Sequence, residues 1–153
     1  MSIRRRSDAD LPACASVLAA VHEIDGYPAV WPAVPQHWWN SDSQVAAWVA
    51  DSGSGIEGHV MLDAAESTLV VSRLFVAPAA RGTGVSSALL DAAVAYAAER
   101  SQALELHVER GSRAAIAFYE KSGWVRTSSR EGGWVLPGGR RAVEHRYVPA
   151  AAR

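Results

Sequence analysis

The stretch that most limits what this chain can fold into runs from Leu69 to Leu90. An apolar, strand-like run from Leu69 to Val76 stops at Pro78, which has no N–H to give to a sheet ladder. The glycine-bearing turn Arg81-Gly82-Thr83-Gly84 then opens into a pattern in which Val85, Leu89, Ala92, Ala93 and Tyr96 recur at three- and four-residue steps, to about Arg100. That spacing predicts a helix. Leu104 to Val108 reads as a buried strand, and strand, helix, strand implies a right-handed parallel crossover.

Gly82 and Gly84 remove side chains from the turn, so successive backbone N–H groups can converge on one point at the positive end of the helix. Such a turn suits an anion, most often phosphate. It is a poor P-loop, because no lysine is present and Thr83 and Ser86 fall at the wrong offsets. It is also a poor dinucleotide fingerprint: Ser87 stands where a third glycine belongs, and Arg100 and Ser101 stand where an acidic residue belongs.

Read as Arg-x-x-Gly-x-(Gly or Ala), the segment Arg81 to Ser86 resembles the acyl-CoA pyrophosphate loop of the GNAT superfamily of N-acyltransferases, with Ser86 departing at the last position. A second segment, Ala115-Ile116-Ala117-Phe118-Tyr119-Glu120-Lys121-Ser122-Gly123-Trp124, is similar to that superfamily's Ala-Ile-x-x-Tyr-Glu-Lys-x-Gly-Phe helix. The departures are Ser112, where the family usually has Asn, and Trp124 for Phe. Ser112 can still cap the helix through its side chain, and Trp124 keeps an aromatic anchor.

The remaining chain is compatible with that fold. Ile3 to Arg6 reads as an opening strand, and Asp8 or Asp10 can cap a helix through Leu11, Cys14, Val17, Leu18 and Val21. From His22 to Asn40 the periodicity is lost, and Pro28, Pro32 and Pro35 interleave with Tyr27, Trp31, Trp38 and Trp39. Val45 to Asp51 and Ile56 to Asp63 flank the turn Ser52 to Gly55, and a second turn at Ala64 to Ser67 leads into the strand ending at Val76. Ser112 starts a second helix that Gly123 ends, and Trp124 to Ser128 and Val143 to Val148 supply two closing strands. The glycine-rich segment Glu131 to Arg141 reads as a long mobile loop between them. The expected architecture is α/β: a GNAT-like mixed, mostly antiparallel sheet of six or seven strands, with a central splayed parallel pair and helices on both faces. With 153 residues, 49% of them hydrophobic, one domain spanning 1–153 can bury its core without disulfides or metal.

A formal net charge of -1 gives no basic field for nucleic acid, and no run of about 18 apolar residues occurs, so nucleic acid and membrane partners are not expected. The arginines at 4, 5 and 6 are not followed by a signal-peptide core, and a cytoplasmic protein is expected. The lone Cys14 lies in an apolar helical run and receives no function. His22-Glu23-Ile24-Asp25 lacks the second histidine of a zinc helix, so no metal is expected.

The resemblance implies acetyl-CoA as co-substrate, with its pantetheine arm in the gap between Leu74 to Val76 and Leu104 to Val108. Main-chain groups at Leu74, Phe75 and Val76 would bond its amides, and N–H groups of Gly82, Thr83, Gly84, Val85, Ser86 and Ser87 would hold the pyrophosphate. Arg81 adds a charge at the loop, and the resemblance implies Ser112, Arg113, Phe118 and Tyr119 as further cofactor contacts. Tyr119 matches the family's general acid for the departing thiolate; an ordinary phenol pKa near 10 suits that role. For the base, Glu105 and His107 share one face of the second splayed strand, while His22 or Glu23 from the aromatic segment and a water relay are alternatives. The resemblance places the acceptor site in that segment, with His22, Glu23, Tyr27, Trp31 and Trp38 as contacts. The aromatic cluster suits a small apolar or cationic guest. The expected activity is acetyl transfer to a primary amine of a small molecule, with homodimerisation an inference from the family. A non-catalytic CoA-binding regulatory or interaction module is the alternative, and it would have no use for Tyr119.

Overall fold

A computed structural model describes residues 1–28, 32 and 38–150. Seven strands form one sheet: β1 (Ser2–Arg5), β2 (Gln44–Asp51), β3 (Ile56–Ala65), β4 (Thr68–Val76), β5 (Ala103–Glu109), β6 (Val125–Val135) and β7 (Arg141–Val148). Their order is β1-β2-β3-β4-β5-β7-β6, and β4 with β5 is its parallel pair. Three helices whose bounds lie within the described residues cover it: α1 (Leu11–Asp25), α2 (Val85–Glu99) and α3 (Arg113–Lys121). Alternation along the strands separates two cores. Leu69, Val71, Leu104 and Leu106 pack under α2 with Leu89 and Ala93, whereas Val49 and Phe75 pack on the other side under α1 with Cys14, Leu18 and Trp39.

Gly58 brings β3 against α2: a Cβ there would meet Leu89 Cδ1 and Val85 Cγ1 at 3.0 Å. That close approach fixes the first turn of α2 over the end of β4. The side chains of α3, among them Ile116, Phe118 and Tyr119, pack against the α2-side core.

Four local expectations differ from the structure. Asp10 does not cap α1 through its carboxylate; that group turns back to accept from the Ser7 N–H at 2.8 Å and from Arg4 Nη1 and Nη2, each at 2.9 Å. An arginine fork offers the carboxylate more than a helix N–H does. The helix α1 runs on through His22 and Glu23 to Asp25, ending at Gly26 with φ +71, because polar side chains without apolar spacing are tolerated on a solvent-facing last turn. Ser112 makes no side-chain cap bond at the start of α3 among the described residues, and its carbonyl accepts from Ile116 at 3.0 Å. Finally, most of Glu131 to Arg141 is strand: β6 continues to Val135, and only residues 136–140 form the turn. The pairing slips between Glu131 and Val135, and Trp134 folds over Gly132, which an edge strand with a bulge permits.

Among the described residues, no helix is long and apolar enough to cross a membrane.

Candidate functional site

The site arises from two breaks in β4. On one edge, β4 pairs with β5 from Thr68 and Ala103 only as far as Val71 and Leu106, after which the two strands part. Beyond that point β4 keeps its partner β3, through Phe75 with His59 and Val76 with Gly58, but among the described residues its other edge has no strand beside it. An open ladder edge presents main-chain donors and acceptors for an extended ligand.

The second break is a bulge. Met61 pairs with Ser72 and His59 with Phe75, so Arg73 and Leu74 together oppose Val60. Arg73 takes φ +49, and the extra residue reverses the facing of the strand. Leu69 and Val71 point to the α2 side, yet Phe75 points to the α1 side and stacks on the buried His59 ring at 5.1 Å. Of Leu74, Phe75 and Val76, therefore, Phe75 offers only its main chain to a ligand at the open edge.

The loop at the end of β4 has the features an anion needs. Gly82 and Gly84 sit at φ +76 and +86 with open space where a Cβ would be. The N–H groups of Gly82, Thr83, Gly84, Val85, Ser86 and Ser87 make no backbone hydrogen bond among the described residues; the first such bond is Ala88 N–H to Gly84 O, at 3.1 Å. Six uncommitted donors at a helix N-terminus fit a diphosphate. The Thr83 hydroxyl donates to Ala80 O, and Arg81 is held by Asp25 at the end of α1, so in this state its guanidinium is ion-paired within the chain. Arg113 and Ser112 are exposed at the start of α3.

A cleft of about 350 Å³ lies where β4 and β5 part, lined by Tyr27, Trp38, Val70, Ser72, Arg73 and His107. Tyr27 and Trp38, two of the expected acceptor contacts, line this cleft with ring centroids 6.2 Å apart. His22 is one step removed, its Nδ1 2.9 Å from Pro28 O, and Glu23 is exposed on α1. Trp31 lies outside the described residues. Trp38 does meet a cation, but it is the chain's own: Arg73 Cζ lies 4.7 Å from the ring centroid.

Glu105 and His107 are brought into contact, with His107 Nε2 2.6 Å from Glu105 Oε2. Burial opposes the Glu105 charge, but hydrogen bonds from Arg146, at 3.2 Å, and from His107 outweigh it and hold the carboxyl below its ordinary value. An ionised Glu105 only accepts, so Nε2 carries the proton. Nδ1 is then the basic nitrogen of a ring that lines the cleft, and it has no partner among the described residues. Arg146 is in turn bonded to Thr127 at 2.7 Å.

Tyr119 stands on α3 beside Phe118, Trp124 and Tyr147, with centroids 5.5 to 6.3 Å away. Its hydroxyl makes no hydrogen bond among the described residues. Desolvation, with a smaller contribution from Tyr27, raises its pKa well above the ordinary phenol value. The group therefore holds its proton more firmly than the sequence alone suggests. Tyr27 itself is pushed up to about 12 by desolvation, against the opposing charge of Arg73.

Sequence reasoning missed Arg73, His59 and Arg146. Arg73 had one visible signal, as a charge inside an otherwise apolar strand run; the other two acquire their partners only from distant strands.

The acetyltransferase (GNAT) family profile matches residues 13–124. No curated protein matches the sequence. Among solved structures, the ribosomal-protein-S18-alanine N-acetyltransferase of Escherichia coli superposes with a TM-score of 0.77 at 19% identity, covering 97% of this chain and 93% of that one. The IAA acetyltransferase of Bacillus cereus gives 0.71 at 20%, covering 97% of each. Arabidopsis thaliana NAA60 in complex with acetyl-CoA gives 0.73 at 16%, covering 96% of each. At these identities the likeness is one of fold, and the family profile, which spans both the Gly82 to Ser87 loop and Tyr119, carries the assignment: this chain belongs to the acetyltransferase (GNAT) family.

Proposed function

We propose that the protein is an acetyl-CoA-dependent N-acetyltransferase acting on a primary amine of a small molecule. The observation that carries this reading is the parting of β4 and β5 after Val71 and Leu106. It leaves an open strand edge that runs on into the loop with six free N–H groups, while the His107 ring lines the cleft at the split.

The fit to acetyl-CoA rests on this chain's own groups. Gly82 to Ser87 would take the pyrophosphate, with Arg81 available if it leaves Asp25, and the free edge of Leu74 to Val76 would take the pantetheine amides. Bound there, the thioester supplies an acetyl group activated for attack by nitrogen. His107 Nδ1 accepts one proton from the acceptor amine as its nitrogen bonds to the acyl carbon, and Glu105 steadies the resulting imidazolium. Main-chain N–H groups along the open edge of Leu74 to Val76 would donate to the charge that builds on the carbonyl oxygen. Tyr119 Oη gives one proton to sulfur as the C–S bond breaks, and the products are an amide and a free thiol. The raised Tyr119 pKa keeps the phenol protonated at neutral pH and disqualifies it as the base, while making it a weaker acid than an ordinary phenol.

The cleft volume supports a small acceptor, since it lies near the lower end of typical ligand sites, roughly 300 to 1,000 Å³. Thiol release from acetyl-CoA over a panel of primary amines and short peptides tests the reading. Amine-dependent release is expected, with small amines preferred. Tight CoA binding without turnover on any acceptor would instead favour a non-catalytic CoA-binding module.

A further inference from the structure

We propose that Arg73 is the acceptor-recognition residue and that the acceptor carries a carboxylate, making it an amino acid or a closely related amino-carboxylate. This rests on the acetyl-transfer reading of the same cleft and narrows its substrate class.

Four observations converge on Arg73. It is the permanently charged side chain among the described cleft-lining residues, so the cleft presents a positive field. Its guanidinium makes no ion pair or hydrogen bond among the described residues, and its Nε is buried without a partner. A buried donor left unmatched in the free protein costs stability that a ligand oxygen would recover. The carboxylate of Asp63, across from Val70, does not serve it: Asp63 accepts from Ser41 and Ser72, each at 2.6 Å, and from Ser43 at 3.1 Å. Last, an arginine occupies a left-handed position, φ +49, that glycine or asparagine would adopt at less cost.

The local packing aims the group. His59, from β3, donates to the Arg73 carbonyl and fixes the bulge, and Trp38 supports the flat face of the guanidinium. A fork braced on one face presents its edge, the geometry that meets a carboxylate through two parallel N–H···O bonds. With His107 lining the same cleft, an acceptor held by its carboxylate at Arg73 places its amine toward the base. Polyamines, which bring only positive charge, are rejected by the same field.

The test compares matched acceptors with the intact protein and acetyl-CoA: free amino acids, their carboxamides, and the decarboxylated amines. The wild type is expected to favour the acids by on the order of 100-fold in kcat/KM, carried mainly by KM. R73Q should bring the acids down to the level of the amides, and R73K, which keeps the charge but loses the fork, should fall between. Equal use of acids and amides by the wild type, or an undiminished preference in R73Q, overturns the assignment. Calorimetry of N-acetyl amino acids against the CoA-loaded protein provides a readout that needs no turnover. If no acceptor reacts, the acetyl-transfer reading fails, but binding by wild type that R73Q loses still upholds Arg73 as a carboxylate site. Absence of binding and of acid-selective turnover in the wild type sinks it.

Discussion

The Nδ1 of His59 lies 2.9 Å from the main-chain oxygen of Arg73, so a buried histidine of β3 pins the bulge of β4. Its Nε2 is 3.0 Å from Arg6 Nη1, and an arginine only donates, so Nε2 accepts and Nδ1 carries the proton given to Arg73. The imidazole is thus used at both nitrogens in its neutral form. Desolvation lowers its pKa to about 4; the bond to Arg73 opposes this, and the charges of Arg6 and Arg73 reinforce it.

This sets a pH dependence of stability. The folded value lies below the ordinary 6.5, so the unfolded chain takes up the proton first as pH falls. Stability from this group is complete above about pH 6.5 and is lost as pH drops toward 4, by roughly 3 kcal/mol for a shift of this size. Thermal midpoints between pH 7 and 4 should decline, and H59Q should start lower at pH 7 and decline less. Parallel curves for the two proteins would exclude His59 as the source.

Tyr119→Phe removes only the hydroxyl from a packed aromatic cluster. Turnover should fall by about 10² to 10⁴, the range for a positioned acid, while the KM for acetyl-CoA and the thermal midpoint stay close to wild type. A variant with full kcat would remove Tyr119 from the chemistry.

Glu105 and His107 should separate by magnitude. H107A loses the basic nitrogen and should cost about 10² to 10⁴ in kcat/KM, whereas E105Q keeps an acceptor for Nε2–H and should cost closer to 10-fold. The reverse order would move the base to Glu105.

Gly82 and Gly84 both sit at positive φ, a region that costs a β-branched residue roughly 1 to 2 kcal/mol. Replacing both by Val should weaken acetyl-CoA affinity more than tenfold by turning the loop N–H groups away from one another, as read by calorimetry. Unchanged affinity would place the diphosphate elsewhere.

The loop and Tyr119 were legible because their chemistry sits in contiguous residues: Gly82 and Gly84 before a helix pattern, and Tyr119 within a ten-residue motif. The strands and the parallel crossover followed from periodicity, whereas the insertion of β7 between β5 and β6 was not read from the sequence. What stayed hidden depends on partners far along the chain. Arg73 becomes a cleft residue only because β4 bulges opposite Val60, and a bulge leaves no period in the sequence. His59 looks like any strand residue until Arg6 and Arg73 close on it, 53 and 14 positions away. The strand character of Glu131 to Val135 was obscured by Gly132 and Gly133, which read as loop punctuation but here serve a bulged edge strand.

Isotope transfer tests the central claim most directly. With acetyl-CoA labelled in the acetyl carbonyl, the account predicts that mass spectrometry finds the label in an N-acetylated amine, in amounts matching the free thiol and lost together in Tyr119→Phe. Label that remains on coenzyme A with every acceptor, although the protein binds it, would contradict the account.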